Sequence, residues 1–370
     1  MLGALVSRIV GLVFPRFFGS ASDLVPLAPV RRSGKTTLLN RILAGDHGKR
    51  IVVIENEFGE IDIDSELVAF QENGEEDIML INNGCICCSV RGDLVDMLGR
   101  LVIEKKGQFD HILIETTGLA NPAPIIQTFY LEPDLLDTLR LDGVVTLVDS
   151  KHAMLHLDEE KPEGMVNEAL EQIAFADRLV MNKADLVTQP ELLSIENRVR
   201  TINNIANVQR AEKANVDLNF VLGVGGFDLD RVEDVIIGEE KEEDHGHSHS
   251  HSHGDSHSHH VHDDTVTSVS LTMDGEVDLD LVNDWLGMLL NDRWQDLFRM
   301  KGVLAIEGCD DRYVFQGVHR LFEGMPDKPW EDGVARSSKL VFIGKDLDRD
   351  ELEKGFKACA VGESVGAASQ

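Results

Sequence analysis

Four short stretches of the 370-residue chain carry groups whose type and spacing could do chemistry. Gly34-Lys35-Thr36-Thr37 runs directly into Leu38, Leu39 and Ile42, the pattern of a phosphate-binding loop that opens a helix. Backbone N–H groups at a helix N-terminus cradle phosphate oxygens, the lysine ammonium meets the β- and γ-phosphates, and the first threonine hydroxyl reaches Mg2+. The apolar run Ile112-Leu113-Ile114 ends in Glu115 and passes into Thr116-Thr117-Gly118. A carboxylate at the tip of a buried strand is costly unless it meets a cation or hydrogen-bond donors. Glu115 therefore reads as part of a Mg2+ shell, direct or through water, with a plainly solvated strand-end glutamate as the alternative. Gly118 could bring a backbone N–H up to a γ-phosphate. Val180-Met181 leads into Asn182-Lys183-Ala184-Asp185. In such a segment the aspartate accepts from the N1–H and exocyclic amine of guanine, a donor pair that adenine lacks.

The fourth stretch is Gly84-Cys85-Ile86-Cys87-Cys88. Three thiols ahead of a helical pattern sit where the helix dipole favours thiolates, the ligands of soft and borderline cations. A structural zinc site is normally closed by four ligands, so three thiolates suit a metal that is exchanged or handed on; three small buried hydrophobes are the alternative. A second metal signal lies at His245, His247, His249, His251, His253, His257, His259, His260 and His262, interleaved with serine and glycine. Such a run builds no rigid site, but it can hold Zn2+, Cu2+ or Ni2+ loosely and raise the local metal concentration; otherwise it only solvates a linker.

One part of the phosphate loop departs from pattern. The motif G-x-x-x-x-G-K-[ST] asks for glycine at position 29, where the chain has Pro29 followed by Val30, Arg31 and Arg32. Proline fixes φ and removes an N–H where the backbone should approach phosphate. Three readings compete: an error of gene model or splicing across this segment, an unusual loop that works, or a decayed nucleotide site. The stretch before it, residues 24–30, carries Pro26 and Pro29 and makes a poor central strand.

Positioning these groups takes a sheet with covered faces. Short apolar runs at residues 50–55, 78–82, 111–115, 143–149 and 178–182 alternate with helical patterns such as Leu94, Met97, Leu98, Leu101 and Val102. Nearly continuous apolar strands separated by helices predict an α/β domain with a mostly parallel sheet and helices on both faces. Each chemical segment then falls at the carboxyl end of a strand, where such sheets bind ligands. The expected domains are a P-loop domain over 23–225, an acidic and His-rich linker over 226–264, a smaller α+β domain over 265–357, and a tail to 370. Residues 1–22 hold Arg8 and Arg16 and no acidic residue, which reads equally as an organellar transit segment or a mispredicted terminus.

Charge and cysteine usage exclude several classes. With 35 Lys+Arg against 66 Asp+Glu, the net charge is −31, too acidic for a nucleic-acid binder. Apolar stretches fall short of the ~18–20 residues that cross a bilayer, so a soluble protein without a membrane partner is expected. Five cysteines, three of them crowded together, fit a reducing compartment better than a disulfide scaffold. The expected compartment is the cytoplasm, or a plastid or mitochondrion if residues 1–22 are a transit segment.

On GKTTLLNRIL at 34–43, ENEFGEIDID at 55–64, GCICC at 84–88, ETTGLANP at 115–122, NKAD at 182–185 and the His-rich insertion, the chain resembles the CobW-type GTPases, a zinc-regulated metallochaperone family of P-loop proteins. The resemblance spans about residues 33–357. It implies hydrolysis of GTP to GDP and phosphate, coupled to zinc binding and to delivery of zinc to a client metalloprotein; cobalt or nickel cargo, or a zinc reservoir with impaired GTPase activity, are its alternatives. In that scheme Gly34, Lys35, Thr36 and Thr37 hold phosphate and Mg2+. Glu115 and Gly118 sense the γ-phosphate, and Asn182, Lys183 and Asp185 read guanine. Cys85, Cys87 and Cys88 hold zinc, and Glu57 is a Mg2+-shell or water-orienting group. Lys35, Glu115 and Glu57 form the catalytic set for in-line attack of water. Partners are GTP, the client and, as an open question, a second copy of the chain.

Overall fold

The computed structural model describes residues 6–11, 22–27, 33–45, 47–55, 66–72, 75–81, 90–105, 107–115, 121–131, 138–159, 161, 167–226, 266–331 and 333–362. They build two sheets. The first contains β1 (Val6–Gly11), β2 (Ser22–Leu27), β3 (Ile51–Glu55), β4 (Glu66–Glu72), β5 (Glu75–Ile81), β6 (His111–Glu115), β7 (Leu139–Leu141), β8 (Gly143–Asp149), β9 (Arg178–Asn182) and β10 (Asn207–Arg210). Their order is β10-β9-β8-β1-β6-β3-β4-β5, with β2 beside β6 and β7. The pairs β3/β6, β2/β6, β2/β7, β8/β9 and β9/β10 are parallel.

The expected strands at 111–115, 143–149 and 178–182 are β6, β8 and β9. Both faces of these strands are covered, which is why they read as unbroken apolar runs. Ile51, Val53, Leu113, Val145, Leu147 and Val180 face helix α1 (Lys35–Ala44) through Leu38, Leu39 and Ile42. Val52, Ile54, Ile112, Ile114, Val148, Leu179 and Met181 face the other way. There they meet α2 (Val90–Glu104), α3 (Ala123–Leu131), α4 (Ala153–Leu157), α5 (Glu168–Ala174) and α6 (Gln189–Ile202).

Three features differ from the sequence expectation. The run at 78–82 belongs to β5, which pairs antiparallel with β4 from Glu66↔Ile81 to Glu72↔Glu75, and β4 in turn pairs antiparallel with β3. The acidic residues at 66, 72, 75, 76 and 77 dilute the apolar pattern of this hairpin. Residues 6–11, expected to precede the folded domain, form β1, antiparallel to β8 from Val6↔Val148 to Gly11↔Gly143. The Pro26-bearing segment forms β2, which pairs in parallel on both edges.

The second sheet, in the order β11-β15-β12-β13-β14, is antiparallel throughout. Its strands are β11 (Val266–Asp274), β12 (Leu297–Leu304), β13 (Asp311–Val318), β14 (Leu321–Pro329) and β15 (Ser337–Lys345). Between β13 and β14 the chain reverses at His319, whose φ is 52°, and Val318 pairs with Leu321. On one face α8 (Leu279–Arg293) and α9 (Arg349–Lys357) bury Val282, Leu286, Leu290, Leu352 and Phe356 against Leu304, Phe315, Leu340 and Phe342; α7 (Leu218–Val221) closes the first domain. The opposite face, with Phe298, Val303, Val314, Val318, Val341 and Ile343, joins the core of the first domain.

That shared core encloses a charge cluster. Asp177, at the root of β9, accepts from Arg299 Nη2 and, at 2.7 Å, from Lys301 Nζ of β12. Its other oxygen accepts the Val144 N–H at 2.8 Å. Lys301 also donates to the Gly226 carbonyl at 2.5 Å, and Arg299 to that of Phe175 at 2.6 Å. Burial and the neighbouring Arg299 push the Lys301 amine down to about 8. Burial works against the Asp177 carboxylate, but the two cations outweigh it and hold its pKa below the ordinary value. Removing one partner of a buried pair costs about 3–5 kcal/mol when it leaves the other charge uncompensated; loss of Asp177 strands two cations, whereas loss of Lys301 leaves Asp177 still paired with Arg299. Asp177→Ala is expected to destabilise by about that much in denaturant titration, with Lys301→Met far milder. Because the Lys301 pKa is lower in the folded state, wild type should gain stability over K301M as pH rises from about 8 toward 10.5; a flat difference across that window would refute the assignment.

Candidate nucleotide site

At the carboxyl edge of the first sheet, Gly34 takes φ 103° and caps α1. A Cβ there would lie 2.3 Å from Asn182 Nδ2, so conformation and space both require glycine. Asn182, fully buried at the end of β9, donates from Nδ2 to the Ser33 carbonyl at 2.7 Å and accepts the Ala214 N–H on Oδ1 at 2.8 Å. Its side chain thus ties the loop before α1 to the loop after β10. Arg41 of α1 fastens the same second loop, donating to the Lys213 carbonyl at 3.0 Å and to Asn215 Oδ1 at 2.9 Å. Lys213 and Ala214 are both left-handed, at φ 49° and 53°. Sequence reading missed this loop; no residue type in Ala211–Ala214 announces it.

Lys35 forms an ion pair with Glu115, the last residue of β6, and both side chains are nearly buried. Thr36 and Thr37 are exposed at the helix start. Lys183, at φ 60°, caps a 3-10 turn, Ala184–Leu186, that leaves Asp185 exposed. The register Asp149↔Asn182 between β8 and β9 puts both strand tips at one level. In the same way Glu55 is aligned with Glu115, Leu67 with Glu55 and Ile81 with Glu66. The end of β5 therefore opens on the same edge, three strand spacings from Glu115, or about 14 Å.

Pro29–Arg32, Glu57, Cys85, Cys87, Cys88, Gly118 and the nine histidines from His245 to His262 lie outside the described residues. By chain connection the cysteines fall between β5 and α2, and Gly118 between β6 and α3. Among the described residues no group of three or more His, Cys, Asp or Glu side chains is placed to hold a metal. Cys359 is buried, and its thiol, pushed up to about 11 by burial, points at the Gly355 carbonyl.

A strand edge so arranged, with a glycine-capped helix opening against it, is that of a P-loop nucleotide-binding protein. Residues 32–210 match the family described as CobW/HypB/UreG, nucleotide-binding domain, and residues 266–360 match the cobalamin synthesis protein cobW C-terminal domain. The zinc chaperone YjiA of Escherichia coli is 36% identical over 327 residues, 88% of this chain and 94% of that protein. The zinc-regulated GTPase metalloprotein activator 1 of Saccharomyces cerevisiae is 29% identical, over 87% and 80% of the two chains. A crystal structure of Zn(II)-bound YjiA GTPase superposes with a TM-score of 0.66 at 30% identity, covering 90% of this chain and 96% of that one. The chain belongs to the CobW family.

If Asn182 is the tie between the two loops, Asn182→Ala should strand the Ser33 carbonyl and the Ala214 N–H. That predicts a loss of about 1–3 kcal/mol in unfolding free energy and at least tenfold weaker binding of a fluorescent GDP. Unchanged GDP affinity would show that the loops hold their shape without it.

Proposed function

We propose that the protein is a GTPase that couples its nucleotide state to zinc held at Cys85, Cys87 and Cys88 and passes the metal to a client metalloprotein. The observation that carries the reading is the shared strand edge: the Lys35–Glu115 pair, the turn bearing Asp185 and the end of β5, four residues before Cys85 in the chain, all lie on it. The zinc chaperones and zinc-regulated activator among its relatives support it. Two family matches support a division into a nucleotide domain over 23–225 and a second domain over 265–357, joined by the His-rich linker.

In this reading the backbone amides opening α1 take the phosphates and Lys35 exchanges partners. A γ-phosphate is a denser anion than the Glu115 carboxylate, so nucleotide draws the ammonium away and frees Glu115. Asp185 accepts from the guanine edge while Asn182 keeps the two loops in place. The Gly118 amide meets the γ-phosphate, and Glu57 helps orient the attacking water. The Thr36 hydroxyl and the Glu115 carboxylate are oxygen donors of the type a hard cation prefers, and Mg2+ held by them would neutralise charge on the phosphate oxygens. Loss of the Lys35 partner at the tip of β6 can reach the cysteine segment through β3, β4 and the end of β5, and such coupling is reciprocal.

Among the described residues no helix is long and apolar enough to cross a membrane. A reducing compartment suits the thiolates.

The test is zinc affinity by chelator competition with a non-hydrolysable GTP analogue and with GDP. A difference of about 5-fold or more is expected, and it should vanish in Cys87→Ser. Equal affinities in the two nucleotide states would sink the proposal.

A further inference from the structure

We infer that Asp149 positions the base-reading turn, acting through Lys183, and so sets base selectivity without touching the nucleotide. This rests on the proposal that Asp185 reads guanine.

Asp149 is the last residue of β8, and its side chain is only 4% exposed. A buried carboxylate needs partners, and here they come from its own turn, Lys151 and His152, and from Lys183 at the end of the neighbouring strand β9. Its Oδ2 accepts from Lys183 Nζ and faces His152 Nδ1 at 3.3 Å, and its Oδ1 accepts the Lys151 N–H at 3.1 Å. The backbones are fastened as well, with Ser150 N–H donating to the Asn182 carbonyl at 3.0 Å.

Lys183 is the point at which this matters. It is left-handed, at φ 60° and ψ 34°, a conformation an L-residue with a long side chain holds only when its surroundings insist. The residue before it, Asn182, is fixed by both ends of its amide. The residue after it is fixed by Ala184 N–H donating to the Ala211 carbonyl at 3.0 Å. Only the lysine side chain is left to be held, and Asp149 holds it. The 3-10 turn follows at once, closed by Leu186 N–H on the Lys183 carbonyl at 3.0 Å, and it carries Asp185 out into solvent. Released from Asp149, Lys183 can relax toward negative φ, and every atom of the turn swings with it. The phosphate end of the site, built on α1 and β6, makes none of the Asp149 contacts. Loss of Asp149 should therefore degrade base reading and spare phosphate binding.

Inosine diphosphate separates the two effects, because its base lacks the exocyclic amine that a correctly aimed carboxylate would accept from. The experiment measures GDP, IDP and pyrophosphate affinities by calorimetry on the full chain. Wild type should prefer GDP over IDP at least tenfold. In Asp149→Ala the preference should collapse to within about twofold, with pyrophosphate unchanged. Asp149→Asn retains an amide oxygen for Lys183 and should recover part of the preference; it also serves if the alanine variant fails to fold. GDP and IDP weakening in parallel, with the ratio intact, would overturn the inference and leave Asp149 a merely structural residue. Asp185→Asn is the separate control: if it keeps the wild-type ratio, base reading by Asp185 is itself wrong, whereas a lost ratio in D185N and an intact one in D149A faults Asp149 alone.

Discussion

The nucleotide edge depends on one buried side-chain amide. Asn182 holds the Ser33 carbonyl with its nitrogen and the Ala214 amide with its oxygen, and so fixes the distance between the loop that opens α1 and the loop that follows β10. An unsatisfied polar group at this depth would be expensive, which makes the tie strict rather than optional. Gly34 is forced by the same contact, since its missing Cβ is the space the Asn182 amide fills. The first residue of Asn182-Lys183-Ala184-Asp185, the segment proposed to read the base, is the internal brace of that edge.

Charge is handled in two ways in the molecule. Between the domains, Asp177, Arg299 and Lys301 are locked into a closed cluster in which one carboxylate serves two cations and neither end faces solvent. Elsewhere, Lys35 and Glu115 pair at the carboxyl end of the first sheet. The first arrangement fixes geometry; the second is the one in which, on the proposed function, phosphate takes the place of the carboxylate. The overall charge of −31 favours divalent cations near the protein in general, but specificity has to come from local arrangements like these.

Much of this was legible in the chain. Glu115 and Asn182-Lys183-Ala184-Asp185 stand out because a polar residue after a run of buried apolar ones has no packing explanation, and β6, β8 and β9 begin and end where that contrast predicts. The β4–β5 hairpin was less visible because acidic residues interrupt its pattern, yet Asn73-Gly74 between its two arms is a strong hairpin signal in its own right. The turn at His319 carried no such signal, since neither histidine nor arginine marks a reversal. Asp149 was hidden for a different reason: its run looks like any strand followed by a turn, and its meaning comes from Lys183, 34 residues away. Asp177 likewise acquires its role only from a strand more than a hundred residues later.

Those separations bear on how the protein comes into being. Lys35 meets Glu115 across 80 residues, Asp177 meets Arg299 across 122, and Asn182 meets Ser33 across 149. Each contact closes a long loop whose entropy is spent before the contact repays it, whereas β12, β13 and β14 pair with their chain neighbours. The β12–β13–β14 meander needs only short loop closures, whereas the edge with Ser33, Lys35, Glu115 and Asn182 needs closures of 80 and 149 residues. During synthesis Ser33 leaves the ribosome long before the residue that will hold it, and the competence of the site reports that the whole sheet has closed.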